Sequence, residues 1–103
     1  MDKKVYIVDA TRTAVASLGK SLKDVSAVDL GSCVISNTIK RSKINNSDVD
    51  EVIMGQVLTG ATGQNPARQA SIKAGLPIEK TAYVVNQVCG SGLRSIASAF
   101  QSI

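Results

Sequence analysis

Histidine and tryptophan are absent from these 103 residues, and the aromatic set is two tyrosines and one phenylalanine. Without histidine, the chain alone cannot build a zinc site with imidazole ligands, a Ser-His-Asp triad or a Cys-His pair. Three aromatics are too few for a base-stacking platform, and the 12 Lys+Arg are scattered among 8 Asp+Glu for a net charge of +4. No nucleic-acid partner is expected, and so mild a positive balance suits small anionic ligands as well. The two cysteines, Cys33 and Cys89, are far apart with no CxxC spacing, which argues against a structural metal site. No apolar run approaches the roughly 20 residues that span a bilayer. The opening Met1-Asp2-Lys3-Lys4-Val5 lacks a secretory h-region, so the expectation is a soluble cytoplasmic chain with reduced thiols and no membrane partner.

What is present is an alternation of apolar segments. The length suits one small domain with a modest core. Val5-Tyr6-Ile7-Val8, Glu51-Val52-Ile53-Met54 and Tyr83-Val84-Val85 are short, largely apolar runs without polar alternation, which predict strands covered on both faces. Residues 11–24 have no period and read as loop. Ser26 with Asp29 resembles a capping pair ahead of a helix carrying Leu30, Val34, Ile35 and Ile39, with Lys40, Arg41 and Lys43 as its solvated cationic end. After a glycine-bearing loop over 55–64, Asn65-Pro66 opens a second helix that Gly75 and Pro77 close. Leu93, Ile96, Phe100 and Ile103 space out a third, amphipathic helix. Strand and helix in alternation predict right-handed βαβ units with parallel strands. The third helical pattern meets no terminator before Ile103, the signature of a chain truncated in mid-helix.

The densest chemistry lies in Asn86-Gln87-Val88-Cys89-Gly90-Ser91-Gly92-Leu93. It sets a cysteine where a buried strand becomes a helix, with two glycines to permit a sharp turn and leave room for a ligand. There a sulfur meets free amides and the positive end of the helix dipole, which favour the thiolate and can hold an oxyanion. The arrangement parallels the nucleophile elbow of serine hydrolases. On residue chemistry alone, a small buried thiol in a tight turn is an equally good reading. The glycines form neither a P-loop nor a GxGxxG fingerprint.

The segment Asn86–Leu93 resembles the active-site cysteine segment of the thiolases, the acetyl-CoA acetyltransferases and 3-ketoacyl-CoA thiolases. Ala10-Thr11-Arg12-Thr13, Leu22-Lys23-Asp24-Val25 with Asp29-Leu30, Asp50–Gly55 and Gly63–Gln69 resemble further thiolase segments in the same order. The resemblance implies an α/β fold: a βαβαβα portion of the thiolase architecture, with a mostly parallel, incomplete sheet and helices on both faces. Residues 1–103 would be the N-terminal part of the thiolase N-terminal domain. It implies that Cys89 is the nucleophile, taking an acetyl group from acetyl-CoA as a thioester while its backbone N–H holds the oxyanion. Coenzyme A thioesters are then substrates, and no cofactor or metal is implied. Gln64, Asn65 and Arg68 fall where thiolases make subunit contacts, so an interface role and a homo-oligomer, dimer or tetramer, are expected. Cys33 matches no catalytic motif and is expected to be a small core residue. The family's histidines and second cysteine are absent, so the chain alone is expected to be inactive. A non-catalytic assembly piece is the alternative. The ketoacyl-carrier-protein synthases share the cysteine-at-helix-start logic but match the neighbouring residues less well.

Overall fold

The structure is a computed structural model describing residues 2–103. Helix α1 (Ala27–Ser42) begins where the Ser26 hydroxyl accepts a hydrogen bond from the Asp29 amide at 3.0 Å, and Lys43 ends it in the left-handed conformation. The Ser26 half of the capping pair forms, and the Asp29 carboxylate pairs with Lys73. A single 3₁₀ turn (Asn46–Asp48) leads into strand β1 (Glu51–Gly55). Helix α2 (Pro66–Lys73) is capped by Asn65, whose side chain accepts from the Arg68 amide at 3.1 Å, and has proline in its first turn. Strand β2 (Thr81–Val85) and helix α3 (Ser91–Ser102) complete the order.

The strands pair in parallel from Glu51 opposite Thr81 to Gly55 opposite Val85, with α2 as the crossover. Successive strand residues face opposite sides of the sheet. Val52 joins Ile39 and Leu76 in the buried core, against which Ile35, Val49, Met54, Ala74 and Ala82 pack, so α1 and α2 cover that side. The residues between, Ile53 and Gly55, face α3: Ile53 shares a small cavity with Ala99 and Ile103. Helices therefore flank the sheet on both faces, as the alternation predicts.

Two expectations need correction. Val5–Val8 forms no strand, and Tyr6, Ile7 and Val8 are 74–80% exposed. A strand exists only through its partner's hydrogen bonds, and Val5–Val8 finds none among the described residues. Asp9 pairs with Arg41 Nε at 3.3 Å, and the Thr11 hydroxyl donates to the Val34 carbonyl, also at 3.3 Å, so the chain runs along α1. Arg41 is thus an anchor as well as a solvated helix end. The second correction concerns α3, whose apolar spacing faces outward. Leu93 is 75% and Phe100 60% exposed, while Ser91 is buried and the small residues Ser95, Ala97, Ser98 and Ala99 are half-buried. Small side chains let the helix sit close to the strands, and the larger ones are left on its far side. Among the described residues, no helix is long and apolar enough to cross a membrane.

Candidate active site

The turn between β2 and α3 carries Cys89, which is exposed. Val88, just before it, has φ of 50°, a left-handed conformation that a β-branched residue rarely adopts. Side chains hold the turn on both sides. The Asn86 Oδ1 accepts from the Val88 amide at 2.9 Å, and the Asn86 Nδ2 donates to the Val57 carbonyl at 3.2 Å. The Ser91 hydroxyl accepts from the Gln87 amide at 2.8 Å and donates to the Val88 carbonyl at 2.6 Å. The Gly90 and Ser91 amides close turns onto the Gln87 and Val88 carbonyls.

These bonds leave the amides of Cys89, Gly92 and Leu93 with no acceptor among the described residues. An exposed sulfur therefore shares the start of α3 with three unspent N–H donors. Such a cluster is suited to a carbonyl that becomes an oxyanion when the sulfur adds to it. The glycines contribute differently from the reading of the sequence. Gly90 and Gly92 are not in the left-handed region, which falls on Val88 instead. Gly92 does leave room, since a β-carbon there would meet nothing within 4 Å.

Three residues that sequence reasoning passed over shape this turn: Asn86, Ser91 and Gly55. A β-carbon on Gly55 would strike the Ser91 carbonyl and lie 2.6 Å from the Gly92 nitrogen, so only glycine lets α3 start against the end of β1. Asn two residues before a left-handed position is a recognisable Asx turn, a signal the sequence did offer. Beside the cysteine, Gln87, Gly90, Leu93, Arg94 and Ala97 line an open groove of about 280 Å³, in which Arg94 Nε donates to the Gln87 Oε1 at 2.7 Å. A larger cavity, about 920 Å³, lies elsewhere, between the start of α1 and α2. The cysteine chemistry has no part in it.

The other candidates are placed as follows. Cys33 is exposed, in contrast with the expected core position, because α1 buries Ser32 and Ile39 while Cys33 lies on the polar face with Asn37, whose amide donates to the Cys33 carbonyl at 2.8 Å. Arg68 donates to the Lys80 carbonyl at 2.6 Å and the Ile78 carbonyl at 2.7 Å, and the Asn65 Nδ2 to the Ala82 carbonyl at 2.9 Å. Both side chains are thus engaged within the chain. Gln64 is exposed, and its carbonyl accepts from Gln69 at 2.8 Å. Among the described residues, no three Cys, Asp or Glu side chains gather as a metal would need.

Residues 5–103 match the family model described as thiolase, N-terminal domain. The chain is 54% identical over 101 residues to an acetyl-CoA acetyltransferase of Escherichia coli (strain K12), covering 98% of this chain and 26% of that protein. It is 53% identical over 100 residues to an acetyl-CoA acetyltransferase of Paracoccus denitrificans, covering 97% and 26%. The crystal structure of a thiolase from Ascaris suum in complex with coenzyme A superposes with a TM-score of 0.91 at 41% identity, over 94% of this chain and 25% of that one. The chain spans about a quarter of the length of the curated relatives it matches. A family match over nearly every residue, relatives at half identity and a shared fold have one meaning: this chain belongs to the thiolase family.

Proposed function

We propose that the chain contributes the acyl-accepting cysteine of a thiolase-type acetyl-CoA acetyltransferase. Cys89 attacks the thioester carbonyl of acetyl-CoA, the oxyanion rests on the amides at the start of α3, and the bond to the coenzyme A sulfur breaks. The coenzyme A thiolate leaves and takes up a proton, and the acetyl group stays on Cys89 as a new thioester. A second acetyl-CoA then loses an α-proton, and its carbanion attacks that acyl group and expels the Cys89 thiolate. The products are acetoacetyl-CoA and coenzyme A, and thiolysis is the reverse. The transfer of the acetyl group between the coenzyme A sulfur and Cys89 exchanges one thioester for another and is nearly balanced in energy, whereas the carbon–carbon step trades a thioester for a ketone and sets the direction of the cycle.

The observation that carries this reading is the exposed Cys89 sulfur beside three unspent amides at a helix start. The family kinship supplies the substrate class, coenzyme A thioesters, and an oligomeric cytoplasmic protein is part of the same proposal. In the family the α-proton goes to a second cysteine, whose motif these residues do not contain, and histidine is absent as well, so the 103 residues alone are inactive in this reading. The exposed apolar side of α3 favours a second reading, a piece that acts only once assembled with the remainder of a thiolase.

The test mixes this chain with the remaining portion of a thiolase relative, adds acetyl-CoA and maps the adduct by peptide mass spectrometry. An acetyl group on Cys89, abolished by Cys89→Ala, is expected. Acetylation elsewhere, or acetyl transfer by the chain alone, refutes the corresponding part of the proposal.

A further inference from the structure

Val88 is 64% exposed, so no packing holds its β-branched side chain in the left-handed conformation. The hydrogen bonds at its two ends do. Its N–H is taken by the Asn86 side chain, and its carbonyl by the Ser91 hydroxyl, which also grips the Gln87 amide. Ser91 is itself 3% exposed, fixed where Gly55 admits it against β1. A conformation that is locally unfavourable persists only when its surroundings over-determine it, and here two side chains add to the backbone bond from the Ser91 amide to the Val88 carbonyl.

We infer that Ser91 and Asn86 are positioning residues for Cys89, holding Val88 left-handed so that the cysteine sulfur and amide are presented together at the start of α3. The inference deepens the acyl-enzyme reading and takes its functional meaning from it. Released from either bond, Val88 relaxes toward negative φ. The peptide joining it to Cys89 rotates, and the sulfur leaves the free amides.

Cys33 is exposed on another helix and serves as an internal reference. The 103-residue chain is alkylated with iodoacetamide, and the ratio of the Cys89 rate to the Cys33 rate is read by peptide mass spectrometry, with circular dichroism to establish folding. Ser91→Ala and Asn86→Ala each remove two hydrogen bonds, one of them to Val88, and each is expected to lower the ratio at least about fivefold. Adding Val88→Gly to either variant is expected to restore the ratio to within about twofold, because glycine enters the left-handed region without penalty. A purely structural serine or asparagine would show no such rescue. A folded variant that keeps the wild-type ratio, or loses it without recovery in the Val88→Gly background, overturns the inference. Should Ser91→Ala unfold, the exposed Asn86 decides by the same criterion. Alkylation reports where the backbone holds the sulfur and needs no acyl transfer, so failed acetylation leaves this result intact and failure here leaves the acyl-enzyme reading standing.

Discussion

Gly55, the last residue of β1, and Ser91, the first of α3, approach so closely that a β-carbon on the glycine would meet the serine carbonyl. The strand end is thereby the seat on which the cysteine-bearing turn is built. Gly55→Ala must push α3 away from the sheet or distort β1. Overpacking of this kind costs about 1–3 kcal/mol. A urea midpoint lowered accordingly, together with faster amide exchange at residues 86–92, is the expected result. An unchanged midpoint would show that the helix start yields freely.

Arg68 holds the connection from α2 to β2 by donating to two carbonyls, those of Ile78 and Lys80. The planar guanidinium reaches both at once, which an ammonium does not. Arg68→Lys is expected to lose about 1 kcal/mol of stability, since water can reach the carbonyls that the guanidinium leaves. Hydrogen exchange should rise at residues 76–81 while α1 stays protected.

How much of this was legible beforehand divides along physical lines. Caps and terminators act within a few residues, so Ser26, Asn65, Pro66 and Gly75 marked helix boundaries that the structure keeps. The strands at 51–55 and 81–85 were likewise visible, as was the cysteine at the strand-to-helix turn. What composition cannot convey is whether a partner lies within reach. Val5–Val8 has the residues of a strand but no partner strand to pair with among the described residues, while the residues after it, Asp9 and Thr11, are tied to α1. Periodicity likewise gives the face of a helix without its direction, which explains α3 and, on α1, Cys33. The roles of Gly55 and Ser91 depend on two segments 36 residues apart in sequence, and no local pattern encodes that meeting.

The carboxyl of Asp29 is held below its ordinary range, chiefly by the hydrogen bond from Lys73, with the Ser26 hydroxyl and the Lys73 charge adding to it. A depressed folded-state value stabilises the native form above the unfolded value, about pH 4, and that contribution disappears as pH falls through the lower folded value. The pair is exposed, so salt weakens it. A carboxyl titration followed by NMR should place the Asp29 midpoint below that of an ordinary aspartate, and Lys73→Ala or high salt should move it back up. A midpoint unmoved by Lys73→Ala would contradict the pairing.

The outward face of α3 offers the sharpest contrast between stability and association. Leu93, Ile96 and Phe100 are 55–75% exposed, so their removal opens no cavity and forfeits little buried area. Surface substitutions of this type move stability by no more than about 0.5 kcal/mol. Leu93→Ser with Phe100→Ser is therefore expected to leave the urea midpoint of the isolated chain unchanged. The same pair should reduce binding of a hydrophobic dye and self-association in sedimentation, because a contiguous apolar stripe is what both detect. A large loss of stability would mean that the helix packs with its apolar side inward, the arrangement its spacing alone suggests. That result would place Ser95, Ser98 and Ala99 outward and remove the close seat between Ser91 and Gly55 on which the geometry at Cys89 depends.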